Sequence, residues 1–442
     1  MEQAATPTRN PVFAAAGSVW PLLLGMGLLM LGNGLQSTLL GVRATSAGFG
    51  TAITGLIMSG YFAGFLAGSV LTPGAVWRVG HLRVFAALAS LASVSILVHS
   101  VWIDPVIWTL MRVLTGFAYA GIYIVTESWL NDRVTNEHRA GLLSVYMIVS
   151  YAGLGGGQLL LNVADPGGFR LFVLVSVVVS LASVPILLTA TQQPERHAPE
   201  RLGWASLFRL SRLGTVGVLA TGIAQGALFG MGPVYGSRIG LSVPEVSIFM
   251  ALLIVGGSVA QWPVGKLSDR VDRRRVIAGM AFAGAAAALL ALIVQQTSRP
   301  ALFVAAVLLG ASALTLYSLF QAHTNDRLQT GQRVAASSGL VLMFGLGAIA
   351  GPLTAGWLMD RTGPSGLLWF VGGVELLIGA FAVYRRLRGE PLPVYEQTHY
   401  VAVPATTGAL APALAEQVEE VDGAPGDDSA APPTPTSQGG AD

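Results

Sequence analysis

The sequence predicts an all-α membrane protein with twelve transmembrane helices in two pseudo-symmetric six-helix bundles. Three observations carry this: apolar blocks of transmembrane length, a shortage of charge, and an internal repeat. About 20 apolar residues, at 1.5 Å each, cross roughly 30 Å of hydrocarbon. Of the 442 residues, 53% are hydrophobic and 11% charged, with a mean hydropathy of +0.63. A soluble domain carries about 25% charged residues, so this chain has too few to cover a water-facing surface.

Gly, Pro or charge bounds spans at 16–41, 51–75, 82–101, 105–128, 140–164 and 169–190, then 214–236, 243–265, 276–296, 300–323, 334–358 and 366–384. The first apolar segment runs to about Leu40, too long for the h-region of a cleaved signal, and is read as the retained first span. Lys and Arg fix the orientation. Nineteen fall in the loops on the N-terminal side and five opposite, with Arg112 inside the fourth span. This predicts a multi-pass protein of the bacterial inner membrane with both termini cytoplasmic. The pI of 9.0 comes from these loop arginines, and no nucleic-acid partner is expected. With no cysteines, and six histidines scattered without ligand spacing, no cofactor or metal is expected either.

The domains follow in order. Residues 1–15 form a cytoplasmic N-terminus and 16–190 the first bundle. A linker, 191–213, ends in a basic amphipathic stretch whose Trp204, Leu207, Phe208 and Leu210 suit the membrane face. The second bundle is 214–388. The tail 389–442 holds nine acids and no Lys or Arg, and is expected to be disordered.

The halves repeat. A shift of 194 residues carries Asn131-Asp132-Arg133 onto Asn325-Asp326-Arg327, Arg139 onto Arg333 and Gly157 onto Gly351, while a shift of 192 carries Arg78 onto Arg270. Duplicated halves predict a substrate site at their interface, exposed to each side in turn as the bundles rock.

The loop Gly265-Lys266-Leu267-Ser268-Asp269-Arg270-Val271-Asp272-Arg273-Arg274-Arg275 resembles the G-x-L-x-D-R-x-G-R-R loop of the major facilitator superfamily, with Asp272 at the second glycine. Arg112-Val-Leu-Thr-Gly116 and Gly351-Pro352 extend the resemblance, which covers residues 15–388. More narrowly, Arg78 to Ala87, Glu127-Ser128 with Arg139, and Gln261-Trp262-Pro263-Val264-Gly265 resemble the YcaD-like branch of permeases. The resemblance implies a twelve-helix facilitator fold and alternating access. It also implies a proton-coupling role for Arg112 and cytoplasmic gating by Glu127 with Arg139 and by Asp269, Arg270, Arg273 and Arg333. One departure stands out: Trp77 occupies the first-half position that matches Asp269, so the latch is expected to be asymmetric, carried mainly by Asp269 and Arg270.

A charge at the membrane centre costs about 3 kcal/mol or more, so each one needs a reason. Arg112, Gly116, Tyr119, Tyr123 and Glu127 fall within about 80° of one another on a helix, a stripe suited to a cavity wall. On the fifth span Ser144, Tyr151, Gln158 and Asn162 form a polar stripe, with Gly153 and Gly157 opposite for close packing. Asn33, Gln36 and Ser37, Gln225 and Phe229, and Tyr317 and Gln321 are the other expected substrate contacts, with interhelical hydrogen bonding as the plainer alternative. Glu375, in the middle of the last span, suits either a proton carrier or a protonated acid bonded to a neighbour. No G-x-x-x-x-G-K-[ST] loop occurs, so ATP-driven transport is not expected, and the chain shows no nucleophile–base pair of an enzyme.

The expected function is secondary transport of a small neutral or amphipathic molecule by a monomer in the lipid bilayer, coupled to protons, with export slightly favoured. The alternatives are a proton-coupled nutrient importer and a non-transporting sensor or scaffold.

Overall fold

The computed structural model describes residues 19–132, 139–188, 204–328, 332–388 and 393–403. The first half holds α1 (Trp20–Ser46), α2 (Thr51–Val79), α3 (His81–Val101), α4 (Pro105–Asp132), α5 (Arg139–Leu159) and α6 (Arg170–Leu188). A short helix, α7 (Trp204–Leu210), precedes the second half: α8 (Arg212–Arg238), α9 (Val243–Ser268), α10 (Arg273–Val294), α11 (Arg299–Asn325), α12 (Arg333–Thr362) and α13 (Gly366–Arg388). Among the described residues, twelve helices are long and apolar enough to span a membrane. Most run a few residues past the predicted spans, because arginines at helix ends keep their heads in water while the backbone ladder continues.

Local chemistry sets several boundaries. Ser242 and Glu245 form a capping box at the start of α9, and the Asp272 carboxylate caps α10 by accepting from the Arg274 amide at 3.0 Å. That cap gives Asp272 a use at the position where the family loop has its second glycine.

The repeat is visible in the packing. Helices α1·α5, α1·α6, α2·α4 and α3·α6 adjoin in the first half as α8·α12, α8·α13, α9·α11 and α10·α13 do in the second. Small residues let these backbones touch. A Cβ at Gly64 would strike the Val113 carbonyl, and one at Gly116 the Tyr61 carbonyl. In the second half, Gly256 meets the Val307 carbonyl and Gly310 the Leu253 carbonyl in the same way. These partners are related by the same shifts of 192 and 194 that relate the sequences.

The halves meet along α2·α12 and α5·α9. The seam is closed at the arginine-poor end: Ser59 Oγ donates to the Ile349 carbonyl at 2.8 Å, Asn162 Nδ2 to Ser247 Oγ at 2.8 Å, and Arg238 to the Phe49 carbonyl at 3.2 Å. Gly55 lies against the Pro352 carbonyl there. On the periphery, Lys266 stands 3.9 Å over the Trp262 ring and Arg361 is 4.3 Å from the Trp357 ring. Such pairs suit the boundary between headgroup and hydrocarbon.

Two sequence expectations change here. Leu207 of α7 is fully buried in the second-half core rather than turned to lipid, because the short helix lies against α8. Phe208 of α7 is exposed as expected. The tail is also not disordered throughout: Pro393–Val403 has a defined place, with Val394–Glu396 in a 3-10 turn and Val403 buried at the arginine-rich end of the second half. Apolar and hydrogen-bonding residues in that stretch find partners that a composition average over the acidic tail conceals.

Candidate functional site

Between the two halves lies a cavity of about 120 Å³. Each half contributes walls: α1, α2, α4 and α5 from the first, α8, α9, α11 and α12 from the second. Of the predicted residues, Asn33, Arg112, Tyr123, Tyr151, Gln158, Gln225 and Phe229 line it, with Ser37 beside them. Apolar surface from Met30, Leu154, Ile254 and Leu314 completes the wall.

Among the described residues that line the cavity, Arg112 alone is charged. It is 4% exposed, and its guanidinium carbon stands 4.6 Å from the Tyr61 ring centroid. Its Nε and Nη1 are buried without a hydrogen-bond partner among the described residues. A cation–π contact supplies some of the attraction lost on leaving water but accepts none of these N–H groups. The arrangement leaves a planar fork of donors suited to an anion or carbonyl. Around it, Asn33 lies beside the Tyr61 hydroxyl, Gln225 donates to the Ala313 carbonyl at 2.6 Å, and Thr38 donates to Gln158.

The other predicted contacts are not brought to this wall. Gln36 donates to Thr115 at 3.5 Å, and Tyr119 donates to the Leu29 carbonyl at 3.3 Å; both tie α1 to α4. Tyr317 packs edge-on to Phe344 at 5.5 Å, and Gln321 is buried one turn further along α11. Glu375 is buried beside Ser312, which donates to it at 3.3 Å, and lies among α10, α11 and α13 outside the cavity. On α5 the glycine side behaves as expected, with Gly153 and Gly157 against the α1 backbone, but Ser144 of the polar stripe is exposed, and Asn162, in the 3-10 turn Leu160–Val163 after α5, belongs to the closed seam.

Tyr61, Phe62, Ser150 and Phe344 also line the cavity, and sequence reasoning does not single them out. For Tyr61 a signal exists. Gly60 and Gly64 flank it, and such small residues bring α2 against α4, aiming the residue between them inward.

Toward the arginine-rich end, Glu127 is fully buried, with Tyr146 and Tyr317 near its carboxylate, so residues of both halves surround it. The side chains of Arg139 and Arg333, at the starts of α5 and α12, lie outside the described residues. Of the loop after α9, Arg273 rather than Arg270 forms the polar cluster. Arg270 is exposed, whereas Arg273 is 1% exposed and reaches Asp326 at 2.5 Å, Ser268 at 2.9 Å and Asp269 at 3.5 Å. Burial raises the Asp326 pKa above the usual carboxylate range, and the charge of Arg273 and donors from Thr398 only partly oppose it.

Comparison with known proteins agrees with this geometry. The sequence model described as "Major Facilitator Superfamily" matches residues 22–270 and 216–414. An uncharacterized MFS-type transporter of Yersinia pestis (strain Pestoides F) is 30% identical over 86% of this chain and 97% of its own. The uncharacterized MFS-type transporter YcaD of Salmonella typhi is 28% identical over 84% of this chain and 97% of its own. Among solved structures, a bacterial homolog of the human lysosomal transporter Spinster, inward-facing and occupied, superposes with a TM-score of 0.70 at 17% identity, covering 88% of this chain and 99% of that one. The nucleoside transporter NupG superposes with a TM-score of 0.65 at 14% identity, covering 84% of this chain and 97% of that one. At these identities the structures share the fold with this chain.

Proposed function

The chain belongs to the Major Facilitator Superfamily, and from that premise we propose that it is a proton-coupled secondary transporter whose substrate is a small amphipathic molecule bearing one anionic or strongly accepting group. The observation that carries this reading is the buried Arg112 fork, without a hydrogen-bond acceptor among the described residues, in a cavity wall whose other described residues are uncharged and rich in aromatic rings and amides. A carboxylate docked there gains a charge-assisted bidentate pair, while its apolar body meets Phe62, Phe229 and Phe344. A multiply charged solute would leave charge against apolar wall.

In this reading the arginine-rich end faces the cytoplasm of a bacterial inner membrane, the protein acts as a monomer, and closure at the other end makes the described state inward-facing. Since the described residues lining the cavity include no acid, the proton of the return step is assigned to Glu127, one turn beyond Tyr123 on α4. Export is the assigned direction, supported by the segment Arg112 to Gly116 that resembles proton antiporters.

The test uses purified protein in liposomes under an imposed pH gradient, with a panel of aromatic carboxylates and their uncharged esters. Carboxylates are expected to move protons, and esters to do so weakly. Arg112→Ala, still folded and inserted, is expected to lose this response entirely. Full activity in Arg112→Ala, or equal responses to esters and acids, would overturn the reading.

A further inference from the structure

Regulation of this cavity rests on the proposed alternating access by the two halves. The cluster at the arginine-rich end does more than join helix ends: it holds a piece of the tail. Arg273 donates to the Thr398 carbonyl at 2.6 Å, and Asp326 accepts from both the Thr398 amide and its hydroxyl at 2.9 Å. Asp269 accepts from the Tyr400 amide at 2.8 Å. Further along, Val403 is 2% exposed and exchanges hydrogen bonds with Ser318 Oγ, donating at 3.1 Å and accepting at 3.0 Å. Main-chain groups of three tail residues are therefore matched by side chains of α10, of α11 and of the turns that follow α9 and α11, the pattern of a peptide in a built groove.

Tyr400 shows what the groove is for. Its ring covers Gly265, where any side chain would collide with it, and its hydroxyl donates to Gln261, beside Tyr151 of the cavity wall. Gln261 in turn donates to the carbonyl of Leu314, another wall residue, at 3.2 Å. Val401 packs against two apolar core clusters, one of them built from residues of both halves and the other from the second half. The segment thus lies across the inner end of the cavity, between α5 and α9, where the halves have to approach when the opposite end opens.

We infer that residues 398–403 are a docked plug that seals the arginine-rich mouth and wedges the halves in the described state, so that the tail must leave its groove before the transporter turns over. Substrate arriving from that mouth competes with Tyr400 for the same entrance, which makes the tail an inhibitor built into the chain.

The chain has no cysteine, so introduced ones report without background. A Cβ at Gly265 would stand 3.2 Å from Tyr400 Cγ, the place a cysteine sulfur would take at residue 400, so Gly265→Cys and Tyr400→Cys together stand within disulfide reach. A separate reporter, Ser59→Cys in the closed seam, becomes reactive to maleimide only when the arginine-poor end opens. We expect the pair to cross-link in full-length protein, and cross-linking to suppress labelling of the reporter until a reductant is added. We also expect Tyr400→Ala to raise reporter labelling on the order of tenfold, as release of a conformational bias would. Failure of the pair to cross-link overturns docking. Cross-linking with unchanged reporter labelling overturns the wedge while leaving transport intact. A reporter silent in every variant, including Tyr400→Ala, overturns alternating access and the plug with it.

Discussion

The two halves share a skeleton and differ in chemistry. Where the first half has Trp77 and His81, the second has Asp269 and Arg273; where the first has Arg112 in α4, the second has Ala306 in α11. His81 meets Ser128 at 3.1 Å, a modest contact between helix ends, while Arg273 at the matching place ties two aspartates and the tail. By contrast Gly64 and Gly116, where α2 meets α4, are matched by Gly256 and Gly310, where α9 meets α11. These two contacts tolerate no divergence, because a Cβ on any of the four glycines would strike a carbonyl that cannot move aside. Side-chain chemistry at the mouth and cavity is free to specialise, and here one half carries the cavity cation and the other the latch.

This contrast can be broken by substitution. The largest effect is expected for Arg273→Ala: removing the guanidinium leaves Asp326, 4% exposed, as an uncompensated buried acid, at a cost of about 3–5 kcal/mol. Detergent thermal unfolding should show the loss, and His81→Ala in the other half should cost only about 1 kcal/mol. Equal penalties would mean that the latch is not confined to the second half. Next, Gly116→Ala and Gly310→Ala should destabilise alike, by about 1–3 kcal/mol each, since both add a methyl against a carbonyl. A large inequality would argue that the packing symmetry is only apparent. The smallest effect is expected from Trp77→Asp. The residue is 59% exposed, and supplying the missing acid should change stability by no more than about 0.5 kcal/mol, because no Arg273 equivalent stands beside it.

Much of this architecture was legible in the sequence because a membrane makes length and charge nearly sufficient: every apolar block became a helix, and the shifts of 192 and 194 reappeared as glycine contacts. The site was only partly legible. A helical stripe says which residues share a face, not whether that face meets the cavity or a neighbouring helix. Tyr119 and Tyr123 share one stripe, yet Tyr123 lines the cavity while Tyr119 bonds the α1 backbone. The docked part of the tail escapes sequence reasoning for a different reason. An average over the 54 residues from Gly389 to Asp442 hides one short stretch, Thr-His-Tyr-Val-Ala-Val, able to satisfy both polar and apolar partners.

Only nine residues separate Arg388, the last of α13, from Thr398. So short a tether gives the segment an effective concentration in the millimolar range at its groove. Occupancy is then a property of each molecule, the same in a crowded bilayer and in dilute detergent, and independent of how much protein the cell makes. A free peptide of the same sequence would have to reach millimolar levels to take its place.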